Sequence, residues 1–243
     1  MDDDIIDNIE EKLKNIEEWN KERERIKPVV DSALDFHNKA RIESRWRNYK
    51  QADEYYKEAI KKYKEALGLN PKWYLQDLTD RIDHVLEEYM YNLFNLKISG
   101  DNLKTQNGIR EFETFINNLK PEETRYINRS DIARAFFDIA NFYFESQNFK
   151  EAYNFYKKVI DINCEIPYIN CEAYMRCGKL LLNEARFKEA LIEFVSALSF
   201  DRGNLETIGY IEECLKRLGI IEHRERFISA TPNEARKLIM EVL

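Results

Sequence analysis

The chain is poor in residues that interrupt helices, with only 7 glycines and 5 prolines in 243 residues. The glycines are never clustered, which excludes a glycine-rich phosphate loop, because that loop needs several neighbouring glycines to bring backbone amides onto a phosphate. No stretch approaches the ~20 consecutive apolar residues that span a bilayer. The first residues, Met1-Asp2-Asp3-Asp4, are acidic where a signal peptide is basic, and no apolar core follows them. A cytoplasmic location is therefore expected. The 4 cysteines, Cys164, Cys171, Cys177 and Cys214, include no pair at the two-residue gap of a zinc knuckle or a redox motif. Cys164 and Cys171 flank Pro167 closely enough to pair, but a reducing compartment disfavours a disulfide.

Positive charge is also in deficit. The net charge of −7 argues against the phosphate backbone as main partner, since non-specific nucleic-acid binding comes from clustered Lys and Arg. The 3 histidines, His37, His84 and His223, fall on three separate expected helices, with no second ligand at helical spacing, so no metal is assigned. Acidic pairs such as Glu87-Glu88 and Glu212-Glu213 are expected in so acidic a chain, and without a pocket they carry no acid–base argument. No catalytic constellation survives a spacing test; no cofactor and no enzymatic activity are expected.

What the chain has in quantity is helical periodicity. From Ala133 to Asp201 one hydrophobic pattern is written twice, thirty-eight residues apart. Phe136, Ile139, Ala140, Tyr143, Phe149, Ala152, Tyr156 and Val159 fall on Tyr174, Cys177, Gly178, Leu181, Phe187, Ala190, Phe194 and Ala197. Each copy reads as two helices joined through Ser146-Gln147-Asn148 or Glu184-Ala185-Arg186. Cys177 takes an aliphatic core position and is expected as a buried small hydrophobe. In both copies the pattern resembles the tetratricopeptide repeat. The resemblance implies an all-α fold, a right-handed helical solenoid of antiparallel helix pairs with a C-terminal capping helix, and protein binding as the general function.

Weaker copies flank this pair. Upstream, Ala59, Tyr63 and Ala66, followed by Leu69-Asn70-Pro71, are aligned with Ala152, Tyr156 and Val159, although the preceding helix does not then match at ordinary spacing. Gly108, Phe112 and Phe115 repeat the same spacing in a degenerate unit whose leading helix is Trp73 to about Leu96. Downstream, Ile208, Ile211 and Leu215 supply one more leading helix, with Glu212 where Ala140 and Gly178 stand, as expected of a terminal unit with relaxed packing. Thr231-Pro232-Asn233-Glu234 carries an N-cap, a first-turn proline and a capping-box glutamate before a last helix. Before the repeats, Ile6, Ile9, Leu13 and Ile16 form an apolar seam on a helix of about 4–27, which packs on the following repeat, self-associates as a short coiled coil or serves as a partner-binding arm. Pro28 is expected to start a new helix. The organisation expected is an N-terminal amphipathic helix at 1–27 and a helical-repeat domain at 28–243. Its units lie at about 28–71, 72–120, 130–164, 168–202 and 204–230, with a cap at 231–243.

In the family the leading helices line a groove that takes an extended peptide or a helix. Its lining here is expected to include Arg134, Phe137, Asn141, Met175, Arg176, Lys179 and Tyr210. Asn141 supplies a group that donates and accepts, Arg176 and Lys179 a positive patch, and Phe137, Met175 and Tyr210 apolar anchors. Only part of the carboxylate clamp of the chaperone-binding members is present. The alternative function uses the basic, aromatic strip Arg41, Arg45, Trp46, Arg47, Tyr49 and Lys50 on RNA or an anionic membrane. Asp53, Glu54 and Glu58 restore negative charge nearby, so a solvated face with Trp46 in the core is preferred.

Overall fold

The computed structural model describes the backbone of residues 2–243 and the side chains from residue 8 onward. The fold is all-α, with no strand among the described residues, and the chain divides into two compact units. The first runs to Ser99 and includes Leu119–Ile127; the second comprises Gly100–Asn118 and Asn128–Leu243. No helix among the described residues is long and apolar enough to cross a membrane.

The first unit contains α1 (Asp2–Arg45), α2 (Tyr49–Gly68) and α3 (Leu75–Ile98). Along α1 and α2, Ala33 and Ala40, and Ala52, Ala59 and Ala66, recur every seven residues and are fully buried. Two helices with alanine at each contact lie close together, and Tyr56 and Tyr63 fill the layers between. Pro28 does not start a helix as expected: α1 passes through it. A mid-helix proline forfeits a hydrogen bond and crowds the preceding turn. Here Ile26 on one side and Ala33 on the other are anchored in the same core, which holds α1 in line across the defect.

The N-terminal seam does not pack on the following repeat over its first described turns. Ile9, Leu13 and Ile16 are 52%, 56% and 54% exposed, and the side chain of Ile6 lies outside the described residues. One turn later α1 docks. Trp19 stacks on Tyr74 with ring centroids 6.3 Å apart, and Glu22 accepts hydrogen bonds from the amides of Lys72, Trp73 and Tyr74 at 2.9, 2.8 and 3.2 Å. Those amides precede α3 and would otherwise lack helical partners. Partial burial pushes the Glu22 carboxyl up, but the three amides and nearby Arg25 outweigh it and hold the group below its ordinary range.

The second unit contains α4 (Gln106–Asn117), α5 (Arg129–Glu145), α6 (Phe149–Ile162), α7 (Pro167–Asn183), α8 (Phe187–Leu198), α9 (Leu205–Leu218), α10 (Arg224–Ser229) and α11 (Pro232–Val242). The pairs α5–α6 and α7–α8 stack through α6 on α7, and α8 carries α9 and α11. The sequence places residues 72–120 in one repeat, but its helices α3 and α4 belong to different units. Gly108 is required at the start of α4 because a Cβ there would lie 2.1 Å from the Asn102 carbonyl oxygen. At the other end the capping box forms: Thr231 N–H donates to Glu234 Oε2 at 2.7 Å, and Glu234 N–H to Thr231 Oγ1 at 3.3 Å. Ala235 and Ile239 bury the inner side of α11. Glu212, at the expected small position, is half-buried and meets Arg224 Nε at 2.6 Å, so a charge pair occupies the place of close helix contact.

One turn is built three times. Arg47, Gln147 and Ala185 have φ of 61°, 58° and 58°, and their amides donate to Ser44, Phe144 and Leu182 carbonyls at 3.0 Å in each case. The next amides, Asn48, Asn148 and Arg186, reach back to Glu43, Tyr143 and Leu181 at 2.9, 2.8 and 2.9 Å. This identity corrects the register of the first repeat. Asn48 corresponds to Asn148, so Ala33, Phe36, Ala40, Ala52 and Tyr56 match Ala133, Phe136, Ala140, Ala152 and Tyr156, and the leading helix fits at ordinary spacing. The alignment on Ala59 and Tyr63 was displaced by one step of the seven-residue repeat in α2. Trp46, expected in the core, belongs to this exposed turn and is 76% accessible. The four cysteines are buried and free; burial pushes the Cys177 thiol well up and Cys214 up to about 12.

Gly178 shows how near the paired helices come, since a Cβ there would stand 2.6 Å from the ring of Phe194. Gly178→Ala is expected to lower stability by about 1–3 kcal/mol, the usual range for overpacking a core, whereas Gly209→Ala, where a Cβ meets nothing within 4 Å, leaves it unchanged or slightly raised. Urea midpoints of the two variants distinguish these outcomes.

Candidate functional site

Within the second unit, the sequence-selected residues come from the leading helices α5, α7 and α9. Two local groupings join them. On α5, Asn141 Oδ1 accepts a 2.6 Å hydrogen bond from the Tyr156 hydroxyl, and Phe137 packs edge-on against the same tyrosine at 5.6 Å. Burial pushes the Tyr156 phenol far up, so it remains a proton donor to Asn141. With its oxygen already accepting from Tyr156, the NH₂ group of Asn141 is the part of the amide that this hydrogen bond leaves unused.

The second grouping spans α7 and α9. The Arg176 guanidinium lies over the Phe144 ring at 5.4 Å, with Nε 3.7 Å from Glu172 Oε2. That Nε is buried and makes no hydrogen bond. Lys179 Nζ reaches Glu206 Oε1 on α9 at 2.8 Å and lies 4.9 Å from the centre of the Tyr210 ring. Tyr210 in turn stacks on Phe194 at 5.0 Å. The positive patch inferred from Arg176 and Lys179 is thus accompanied by Glu172 and Glu206. Arg134 is exposed on α5, and its charge moderates the upward shift that burial imposes on Asp138.

Met175 does not belong to an exposed surface. It is 1% accessible, and its sulfur accepts from the Thr207 hydroxyl at 2.8 Å, because the first turn of α9 covers this part of α7. Of the three residues expected as apolar anchors, Phe137 and Tyr210 keep partly accessible rings, and the partly accessible Phe144 ring lies against Arg176. Spacing alone selects Phe144 as groove-facing but cannot show the guanidinium above its ring.

The register of the first unit places His37, Arg41 and Ser44 at the positions of Phe137, Asn141 and Phe144. These residues do not repeat the second unit's chemistry. His37 is buried on α1, and its Nε2 is 2.8 Å from Glu88 Oε2 on α3. Arg41 Nε is 3.2 Å from Glu88 Oε1, His84 Nε2 is 3.4 Å from the same oxygen, and the Tyr56 hydroxyl is 3.4 Å from Oε2. Burial pushes the Glu88 carboxyl up, but the His37 hydrogen bond and the charges of His37, Arg41 and His84 bring it net below its ordinary value. Two histidines expected on unrelated helices therefore meet, with rings 5.7 Å apart. The absence of a second ligand at helical spacing is also corrected: Glu88 follows His84 by four residues, one helical turn. Arg45, Arg47 and Tyr49 of the basic strip border an open cavity of about 630 Å³ beside this cluster, together with Glu87 and Glu88. Acidic groups thus share the surface that the alternative function needs to be positive.

The two kinds of contact differ in burial and should differ in energetic weight. Tyr156→Phe is expected to cost about 1 kcal/mol by removing a part-buried hydrogen bond, while Lys179→Met, which breaks an exposed ion pair, changes stability by less than about 0.5 kcal/mol. Denaturant titration of both variants tests the contrast.

Residues 133–163 and 36–71 each match a family profile described as tetratricopeptide repeat. No match is found among curated proteins. Among solved structures, a crystal structure of the MamA protein is similar at 12% identity and a TM-score of 0.39, covering 88% of this chain and 96% of its own. A second MamA crystal structure has 13% identity and a TM-score of 0.39 over 79% and 93% of the two chains. A third MamA structure has 17% identity and a TM-score of 0.34 over 87% and 93%. The two matched segments take in the end of α1 with α2, and α5 with α6, whose turns share one hydrogen-bonding pattern, and on that evidence the chain carries tetratricopeptide repeats, units whose general role is protein–protein interaction.

Proposed function

We propose that the face of α5, α7 and α9 binds a peptide or helix of a partner protein, and that the chain acts by binding rather than by catalysis. The observation that carries this reading is Arg176. Its Nε is buried 3.7 Å from Glu172, but the side chain as a whole is 35% exposed, so the rest of the guanidinium fork is open to an acceptor on a bound partner. An arginine already stacked on Phe144 is also oriented, so less side-chain freedom is lost on binding. The Asn141 NH₂ group supplies a neutral donor, and Phe137 and Tyr210 supply partly buried aromatic surface, the type enriched at interface centres. Glu172 and Glu206 favour a partner of mixed charge over a uniformly acidic one. Four buried free thiols fit a reducing compartment, which supports a cytoplasmic location within this reading.

Asn141→Ala combined with Arg176→Glu is expected to abolish capture of the partner that the intact protein retains from a native lysate, with the helical circular dichroism unchanged. Undiminished capture by the double variant contradicts the assignment of this face.

A second binding surface is proposed for self-association at α1, favoured by the exposed apolar seam of Ile9, Leu13 and Ile16, which share one side of the helix at spacings of four and three. Leu13→Asp with Ile16→Asp leaves Trp19, Glu22 and Ile26 in place and is expected to convert a sedimenting dimer to monomer. Sedimentation of the intact chain as a monomer contradicts self-association.

A further inference from the structure

The first unit contains one trio of metal-ligating side chains among the described residues: His37, His84 and Glu88, whose ligand atoms all lie within 4.8 Å of one another. We propose that this trio binds a zinc-class divalent cation and clasps α1 to α3, leaving a fourth coordination position toward the neighbouring cavity.

The donor set is two imidazoles and one carboxylate, which suits zinc and its neighbours in the first transition row rather than the all-oxygen preference of calcium or magnesium. The geometry requires little rearrangement. Ligand atoms around a tetrahedral zinc stand about 3.3 Å apart, given bonds of about 2.0–2.1 Å. In the chain, His37 Nε2 stands 2.8 Å from Glu88 Oε2, and the three ligand atoms all lie within 4.8 Å of one another. Rotamer changes of a fraction of an ångström to about an ångström open the centre of the trio for an ion.

Secondary structure makes the arrangement reproducible. His84 and Glu88 are one turn apart on α3 and share a face. His37 is fixed on α1 by burial and by the aromatic rings of Tyr56 and Tyr63, at 6.1 and 6.4 Å. An outer layer is also present. Arg41 Nε lies 3.2 Å from Glu88 Oε1 and orients the carboxylate, which leaves Oε2 for the ion. Glu87 Oε2 lies 4.0 Å from His84 Nδ1, on the side of the ring away from the trio. At that distance Glu87 makes no hydrogen bond to the ring and contributes negative charge beside the proposed ion. The Arg41 charge opposes the cation, and the carboxylate between them moderates that repulsion.

The burial gradient completes the argument. His37 is buried, Glu88 is half-buried and His84 is exposed, so an ion can enter from the cavity side and keep a water in its open position. Because its ligands come from α1 and α3, a bound ion stabilises this unit, by linkage to the folded state alone.

The test uses the full chain, stripped with a chelator and titrated with zinc chloride by calorimetry and with cobalt chloride by visible absorption. The expected results are one zinc per chain, ligand-field bands from cobalt, and a zinc-dependent rise in Tm. His84→Ala alters an exposed side chain and should keep its helicity, yet weaken zinc binding at least about a hundredfold, beyond what loss of an outer partner costs, and abolish the Tm rise. Glu88→Gln should behave likewise, and His223→Ala should bind as the parent does. Absence of zinc heat and cobalt bands in the parent overturns the proposal, and so does equal zinc affinity in the parent and His84→Ala.

Discussion

The repeats depend on a residue small enough to let an aromatic ring of the paired helix come into contact with backbone. At Gly178 the distance leaves no room for even one methyl group beside Phe194. Ala140 with Tyr156, and Ala40 with Tyr56, are buried at the equivalent positions. Dispersion falls steeply with separation and interiors are close-packed, so one added carbon here must push the Phe194 ring or its helix aside rather than fill a gap. The rest of the geometry follows from this approach: where the leading helix lies, which of its faces is covered by the next pair, and which is left outward. At the end of the second unit the same position is Glu212, and the contact becomes a charge pair with Arg224 that suits a terminal helix.

The connecting turn is the second constraint, and it shows what kind of information sequence reading passes over. Arg47, Gln147 and Ala185 share one left-handed conformation and one hydrogen-bond pattern without sharing a residue type, and none is the glycine that ordinarily marks such a turn. A search for glycine finds no signal at these sites, and the two central joins are located by the repeated hydrophobic pattern. The hydrophobic pattern supplied the register of the two central pairs, where large and small residues alternate unambiguously. It failed in α2 because alanines and tyrosines recur every seven residues there, and two alignments fit equally well until the turn decides between them. Pro28 and Trp46 were misplaced for related reasons: a helix can carry a proline if both sides are anchored, and a large apolar side chain can be left in solvent when it falls on a turn.

The outward face was legible in part. Phe137, Asn141, Arg176, Lys179 and Tyr210 lie on the leading helices selected by spacing, but spacing assigned Met175 to the surface although Thr207 covers it. One position along a helix rotates a side chain by about 100°, so a residue at the margin of a face is decided by the neighbour above it. The partners of the charged residues were not legible, because Glu206 and Glu88 reach Lys179 and His37 from helices distant in sequence. This matters for function. The same repeat position holds Phe137 beside a hydrogen-bonded Asn141 in one unit and His37 beside an ion-paired Arg41 in the other. The shared backbone thus presents an apolar, amide-bearing face in one place and a titratable cluster in another.

The close helix contact at the small position is measured directly by a double-mutant cycle between Gly178→Ala and Phe194→Leu. A shorter, branched side chain at 194 makes room for the added methyl group, so the two substitutions together should destabilise the protein less than the sum of each alone, with a coupling of about 1 kcal/mol or more between contacting residues. Strict additivity of the two denaturation free energies would contradict the claim that this approach sets the repeat geometry.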